Sequence, residues 1–172
     1  WPLSVQQVVA LGRLPHRKLS HRSDDAAAIA RALDFTGITH LRDRAFPALS
    51  EGEKLLVNLA RVLANESRLI LADEPTSALD PKHQLLVMEL LQQLAASGTA
   101  VVIVLHDLTL AARYCQRLLL LHQGASRACG SPKEILTPDL LAQVYGIDAY
   151  FDTATNTVIS KGRLTIGTEL IE

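Results

Sequence analysis

The sequence predicts an α/β fold in which a mainly parallel sheet is covered by helices. Two short apolar runs, 68–72 and 100–105, are typical of buried strands, and a helical pattern over 81–96 lies between them. Strands that alternate with helices in this way indicate a parallel sheet. The chain has 172 residues, of which 48% are apolar, so it is long enough to bury a core.

The first 64 residues lack strand signals and predict three helices. Apolar residues recur at helical spacing over 5–14. A second helix is expected over 26–33, with Ser23 as its N-cap. A third helix begins at Ser50, and its leucines recur on one side. We therefore predict a helical subdomain over 1–64.

The pattern after residue 105 predicts shorter elements. Helix starts are indicated where Ser or Thr precedes Pro, because Pro is well suited to the first helical turn. Thr, Val and Ile in the tail predict weak antiparallel strands. These predictions are a helix over 107–115, strands over 118–122 and 126–129, helices starting after Ser131 and Thr137, and strands from Ala149 onward.

Composition and charge exclude several classes of protein. The formal net charge of −1 provides no electrostatic footprint for nucleic acid or an anionic membrane. The apolar run 100–105 is far shorter than the ~20 residues that span a bilayer. Cys115 and Cys129 fit buried thiols in a reducing cytosol better than a disulfide framework.

Two adjacent carboxylates, Asp73 and Glu74, follow the first predicted strand. Ligands of α/β sheets bind outside the carboxyl ends of the strands. Neighbouring carboxylates repel each other unless a cation or a proton is shared between them. Asp73 is therefore a candidate to hold the shell of a Mg²⁺ ion, and Glu74 a candidate to deprotonate an attacking water. The alternative is that the strand simply ends in a polar turn.

His106 directly follows the second predicted strand, so we expect it at the same edge of the sheet as Glu74. A neutral imidazole there can donate a hydrogen bond to a phosphate and help to position a water. The alternative is a capping or packing histidine.

The segment 48–64 combines a helix start with a glycine. Ser50 precedes a helix N-terminus, which binds phosphate through free N–H groups and the helix dipole. Gly52 removes a side chain where another group must approach the backbone closely. The alternative is an ordinary Ser-capped helix with Glu53 in a capping box.

The segments LSEGE, LARVLA and LILADEPTSALD, followed by a strand that ends in His106, together resemble the ATP-binding subunit of ABC transporters. The resemblance covers nearly the whole chain and implies an ABC-type P-loop NTPase core with a helical signature subdomain. It implies that Asp73 is the Walker B aspartate, that Glu74 is the catalytic glutamate and that His106 is the switch histidine. Two loops are also implied, a signature of Ser50, Glu51, Gly52 and Glu53 that binds the partner's ATP, and a D-loop of Ser77, Ala78, Leu79 and Asp80.

The resemblance also implies cofactors, partners and organisation. ATP and Mg²⁺ are the expected cofactors, with Asp73 holding Mg²⁺ through water. Expected partners are a second copy of the subunit, transmembrane permease subunits and, indirectly, a substrate-binding protein, without nucleic acid. The expected location is the cytoplasmic face of a bacterial inner membrane, as a peripheral subunit. The expected domains are a helical subdomain over 1–64, the C-terminal half of a RecA-like core over 65–148 and a β-rich tail over 149–172.

Residues 5–16, 105–121 and 130–147 resemble importers of iron–siderophore complexes, haem and cobalamin. An importer of polar amino acids or sugars is the alternative within transport. Two further alternatives are a non-transport ABC ATPase that acts on DNA or ribosomes, and a truncated, non-catalytic subunit that only binds its partners. The basic stretch from Arg13 to Arg22 is expected to be exposed, either solvated or in contact with a permease.

Two departures from the family pattern stand out. No GxxxxGK[ST] loop occurs in the 172 residues. That loop supplies the N–H groups and the Lys that hold the β- and γ-phosphates. We therefore expect the chain to be N-terminally incomplete, to lack the first strands and the P-loop, and to be unable by itself to bind or hydrolyse Mg-ATP. Glu51 stands where the family usually has Gly, so its carboxylate either repels the partner's γ-phosphate or points away from it.

Overall fold

The computed structural model describes residues 2–16, 22–77 and 79–164, and the chain divides after Val104 into two compact units. The first unit contains four α-helices, two strands and three short 3-10 helices within its described residues. The α-helices are α1 (Val5–Ala10), α2 (Arg22–Phe35), α3 (Glu51–Leu63) and α4 (Pro81–Ala96), the strands are β1 (Leu69–Asp73) and β2 (Ala100–Val104), and the 3-10 helices span Leu11–His16, Thr39–Leu41 and Phe46–Ala48.

Helices α1, α2 and α3 pack around one apolar core, as the helical spacing predicts. Val5, Val9 and Val57 are fully buried in it, with Ile29 and Leu33 from α2. The start of α2 differs from the prediction, because the helix begins at Arg22 and Ser23 lies inside it. Asp24 and Asp25 occupy its first turn, where carboxylates interact favourably with the helix dipole.

Strands β1 and β2 form a parallel pair, which confirms the predicted α/β class. Leu69 pairs with Ala100 and Asp73 pairs with Val104, so the carboxyl ends of the two strands are in register. One face of the pair packs against α4 through a cluster that contains Ile70 and Leu91. This packing holds β1 against the second half of α4.

The other face of the β1–β2 pair is apolar and exposed. Leu71 is 72% exposed and Val102, its register partner, is 56% exposed. Leu69 and Val104 lie on the same face, because side chains alternate along a strand, and both are 50% exposed. Parallel sheets are normally covered on both faces. We call Leu69, Leu71, Val102 and Val104 the open sheet face.

The second unit combines three helices with two antiparallel strand pairs, β3–β4 and β5–β6. Its core contains Ala112, Leu136, Leu141 and Ala149. The first strand of the predicted tail starts two residues before Ala149, and the predicted tail residues 165–172 lie outside the described part of the chain. The elements are α5 (Leu108–Tyr114), β3 (Leu118–His122), β4 (Ala125–Gly130), α6 (Pro132–Ile135), α7 (Pro138–Tyr145), β5 (Ile147–Asp152) and β6 (Thr157–Arg163).

Arg13 corrects the expectation that the basic stretch is exposed. Its side chain is buried and donates hydrogen bonds to Asp25 Oδ1 at 2.8 Å, to Glu66 Oε2 at 2.9 Å and to the carbonyl oxygen of Ala64 at 2.8 Å. A buried guanidinium is tolerated because these acceptors compensate its lost hydration. Arg13 therefore ties the segment after α1 to α2 and to the end of α3.

Among the described residues, no helix combines the length and the apolar character needed to cross a membrane. The predicted domain boundaries at residues 64 and 148 stay predictions.

Candidate functional site

Asp73 and Glu74 lie at the carboxyl edge of the β1–β2 pair. Asp73 is the last residue of β1 and is exposed, whereas Glu74 is half-buried. The N–H of Glu74 donates a hydrogen bond to the carbonyl oxygen of Val104 at 3.1 Å. The backbone of Glu74 is therefore tied to the end of β2, at the edge where the sequence predicts the site.

Glu74 adopts a left-handed conformation, with φ of +44°. Ser77 closes the following turn, because its N–H and its Oγ both donate to the carbonyl oxygen of Glu74, at 3.0 and 2.9 Å. Thr76 is buried, and its carbonyl accepts from Gln84 Nε2 at 3.2 Å. A non-glycine residue held at positive φ is strained, and such strain is concentrated at functional sites.

The donors at this edge fit a weakly held magnesium ion. Mg²⁺ usually keeps several waters and binds one or two carboxylates together with substrate phosphates. Asp73 supplies one exposed carboxylate. Within the described ranges, no cluster of three His, Cys, Asp or Glu side chains could hold a metal ion by itself. Any ion held by Asp73 would therefore need further ligands from water or phosphate.

The predicted signature forms the start of α3. Ser50 is the N-cap, and its Oγ accepts from the N–H of Glu53 at 3.3 Å. The N–H of Ser50 donates in return to Glu53 Oε2 at 2.8 Å, which completes a capping box. This backbone hydrogen bond, followed by the Ser50 side chain, lowers the pKa of the Glu53 carboxyl. The capping interpretation is thus confirmed, and it leaves the phosphate-binding role as a prediction.

Glu51 forms an ion pair with Lys54 at 2.7 Å and is 84% exposed at its side chain. The pair has i,i+3 spacing, so the Glu51 carboxylate is directed along α3 toward its own cation. Lys54 partly neutralises this carboxylate. Both expectations for Glu51 relative to the partner's γ-phosphate stay predictions.

Gly52 has a close neighbour that the sequence does not reveal. A Cβ at this position would lie 2.6 Å from Nε2 of His83, 2.7 Å from Cδ2 and 2.9 Å from Cε1. The group that approaches the Gly52 backbone in this structure is therefore the His83 imidazole.

The predicted D-loop residues connect this histidine to the Asp73–Glu74 edge. Asp80 is the N-cap of α4, and its Oδ1 accepts from the N–H of His83 at 3.0 Å. Its Oδ2 lies 2.6 Å from His83 Nδ1. Leu79 packs against the core beneath β1. Ser77 closes the turn after Glu74 as described above, and Ala78 lies outside the described residues.

His106 belongs to the second unit and lies two residues before α5. The following residue, Asp107, is the N-cap of α5, and its Oδ1 accepts from the N–H groups of Thr109 and Leu110 at 2.8 and 2.9 Å. The switch role of His106 stays a prediction.

His83 is the member of this arrangement that sequence reasoning missed. The spacing of Asp80 and His83 across the first turn of α4 was a local signal for their contact. Its contact with Gly52, 31 positions away in the sequence, had no local signal.

Comparisons with known proteins identify the family of the chain. Residues 3–77 match the family model described as ABC transporter. The hemin import ATP-binding protein HmuV of Rhodococcus jostii (strain RHA1) is 48% identical over 143 residues, which are 83% of this chain and 49% of that protein. The chain thus spans about half the length of the curated relatives it matches.

Solved structures agree in fold. A metal-chelate type ABC transporter in an inward-facing conformation superposes with a TM-score of 0.79 at 32% identity, over 93% of this chain and 65% of that one. The dimeric structure of MJ0796, a bacterial ABC transporter cassette, superposes with a TM-score of 0.63 at 29% identity, over 76% of this chain and 57% of that one.

Proposed function

Because this chain belongs to the ABC transporter family of ATP-binding proteins, we propose that it forms the C-terminal part of the ATPase subunit of a haem importer. The observation that carries the proposal is the position of Asp73 and Glu74 at the carboxyl edge of β1, in the same unit as the Ser50-capped helix. The relatives named for hemin import support haem as the transported solute.

Glu74 acts as the general base for hydrolysis. Its backbone is fixed to β2 by the hydrogen bond to the Val104 carbonyl oxygen, so Glu74 is held at the edge of the sheet. A bound Mg²⁺ would supply charge neutralisation at the phosphates, and Asp73 would hold it through water. His106, which follows β2, helps to orient the water and the γ-phosphate.

The signature acts on ATP bound by a partner subunit. The N-terminus of α3 offers free N–H groups and the positive end of the helix dipole to the partner's γ-phosphate. Ser50 contributes its hydroxyl, and the D-loop from Ser77 to Asp80 lies along the dimer interface. Closure of two subunits on ATP then drives the permease at the cytoplasmic face of the membrane, and hydrolysis reopens the dimer.

The ATP-binding half of the site comes from a segment N-terminal to this chain in a longer polypeptide. The open sheet face supports this, because a parallel pair of strands needs cover on both sides. The occupant proposed for it is that upstream segment, with its P-loop strand.

The first test is nucleotide binding by two lengths of the protein. The purified 172-residue chain should bind no Mg-ATP, and the subunit extended upstream should bind it and hydrolyse it. Tight binding of Mg-ATP by the 172-residue chain would refute the proposal that the ATP-binding half of the site comes from an upstream segment. An extended subunit without hydrolysis would favour the non-catalytic interaction module.

The second test concerns the solute. The extended subunit is assembled with its permease and binding protein in liposomes, and ATP hydrolysis is measured with haem, a ferric siderophore and cobalamin. Stimulation by haem alone is expected. If a ferric siderophore or cobalamin stimulates hydrolysis and haem does not, the transported solute is that compound, and the proposed ATPase function is unchanged.

A further inference from the structure

The Asp80–His83–Gly52 contact links two segments that lie far apart in the sequence, the predicted D-loop and the start of α3. Asp80 ends the D-loop segment, and Gly52 lies in the first turn of α3. The His83 ring spans the gap, with its Nδ1 on Asp80 and the opposite edge of the ring against Gly52. We propose that His83 is a positioning residue that holds the signature helix and the D-loop together as one body. The proposal rests on the proposed ATPase function and deepens it.

The orientation of the ring is set from two sides. The Asp80 carboxylate only accepts hydrogen bonds, so the short contact of 2.6 Å requires a proton on His83 Nδ1. The same carboxylate accepts from the backbone N–H of His83 at 3.0 Å. One carboxylate thus holds both the backbone and the ring of His83, and it leaves the ring few rotamers.

Contact with Gly52 transmits this constraint to α3. Three atoms of the His83 ring lie within 2.9 Å of the position that a Cβ of residue 52 would occupy. Real Cβ atoms are not found that close to other heavy atoms, so alanine at this position must displace either the ring or the helix. The ring therefore sets the closest approach of the signature helix to the D-loop.

The proposed chemistry at the dimer interface depends on the distance between the signature helix and the D-loop. In the proposed dimer both loops must reach the partner at the same time, and a helix N-terminus acts on phosphate only at hydrogen-bond distance. If the signature and the D-loop moved independently, closure of the dimer would have to order each of them, at a cost in conformational entropy. When their separation is fixed in advance, the closing step no longer carries this entropy cost.

The two kinetic constants should depend on His83 to different degrees. ATP binds first to the P-loop of its own subunit, which His83 does not touch in this proposal. Closure and turnover need both loops. His83→Ala should therefore lower kcat about tenfold while the Kd for ATP, measured at low protein concentration, stays the same.

The decisive experiment is a double-mutant cycle in the extended subunit. Gly52→Ala alone should lower kcat about tenfold or more, because its Cβ meets the His83 ring. In a His83→Ala background the same Gly52→Ala change should lower kcat less than about threefold, because the ring is gone. Lys82→Ala, an exposed neighbour on α4, is the control and should leave both constants unchanged.

Additive effects of the two substitutions on kcat would overturn the proposal, since Gly52 would then be needed for a reason other than His83. An unchanged kcat in His83→Ala, with only a loss of unfolding free energy, would also overturn it, since the residue would then be structural. His83→Gln, whose amide can still donate to Asp80, should recover part of the lost kcat.

Failure of the proposed function is distinguishable from failure of this inference. The wild type, the two single variants Gly52→Ala and His83→Ala, and the double variant are unfolded in urea, a measurement that requires no ATPase activity. Coupling between Gly52→Ala and His83→Ala in the unfolding free energy tests the contact itself. An extended wild-type subunit without ATPase activity, but with this coupling, would reject the proposed function and the kinetic role while keeping the contact. If the wild type hydrolyses ATP and neither measurement shows coupling, only the inference about His83 is rejected and the proposed function stands.

Discussion

The N–H of Glu74 donates a hydrogen bond to the carbonyl oxygen of Val104 at 3.1 Å, one residue beyond the last register pair of β1 and β2. The bond places Glu74 at the sheet edge through its backbone, in a left-handed conformation with φ of +44°. The carboxylate is thus carried by a backbone geometry that glycine would adopt with less strain. Stability and the proposed catalysis make opposite demands on this residue.

Substitutions at Glu74 should reveal this conflict. We expect Glu74→Gly to be more stable than Glu74→Ala by about 1 kcal/mol, because alanine retains the Cβ that disfavours a positive φ. Both variants should lose ATPase activity, since neither carries a general base. Urea unfolding of the extended subunit measures the difference. Equal stabilities would mean that the backbone at Glu74 stores no strain.

Glu51 and Ser50 should respond in opposite ways. Glu51 is exposed and paired with Lys54 at 2.7 Å, so Glu51→Gly should keep or raise the ATPase rate. Ser50→Arg should abolish it, because a long cation replaces the hydroxyl at the helix N-terminus. The lost cap costs only about 1 kcal/mol, so this variant should remain folded. A severe loss of activity in Glu51→Gly would show that this carboxylate takes part in the site.

Arg13 should contribute strongly to stability. Arg13→Ala removes hydrogen bonds to Asp25, Glu66 and the Ala64 carbonyl, and should lower the unfolding free energy by about 2 kcal/mol. The control is Arg42→Ala, whose 3.5 Å contact with Asp43 lies at the surface and should contribute under about 0.5 kcal/mol. Equal losses in urea unfolding would contradict a special role for the buried guanidinium.

Acid should weaken the same cluster. A hydrogen bond from Arg31, and then one from Arg13, lowers the pKa of the Glu66 carboxyl despite partial burial. A lowered carboxyl pKa gives stability that is present above the unfolded pKa and is lost as the pH falls through the folded pKa. Glu66→Gln should therefore flatten the decline of stability in acid. An unchanged decline would assign it to other carboxyls.

The open sheet face should behave differently in the two lengths of the protein. In the extended subunit Leu71 should be covered, so Leu71→Lys should cost more than about 3 kcal/mol. In the 172-residue chain the same change should raise solubility, since Leu71 is 72% exposed there. Gln92→Lys, at an exposed position of α4, is the matched control. A small cost of Leu71→Lys in the extended subunit would argue against the proposed cover.

The sequence predicted local features well, because their signals are local. Ser50 caps α3 and Thr137 caps α7 as the cap patterns indicate. The buried Arg13 and the His83–Gly52 contact were missed, because each depends on residues far apart in the chain. Ser23 was assigned as a cap, whereas the two following aspartates stabilise an earlier helix start. Long-range contacts decided the cases of Arg13 and His83, whereas the start of α2 depends on local charges at the helix N-terminus.

The most direct test of the central claim is the Glu74→Gln variant of the extended subunit, with Glu89→Gln on the exposed side of α4 as the control. An amide cannot accept a proton from water, so ATP turnover should fall at least about a hundredfold. ATP should remain bound and hold two subunits together, as measured by retained nucleotide and by the mass of the complex. Turnover at the wild-type rate in Glu74→Gln would contradict the assignment of Glu74 as the general base.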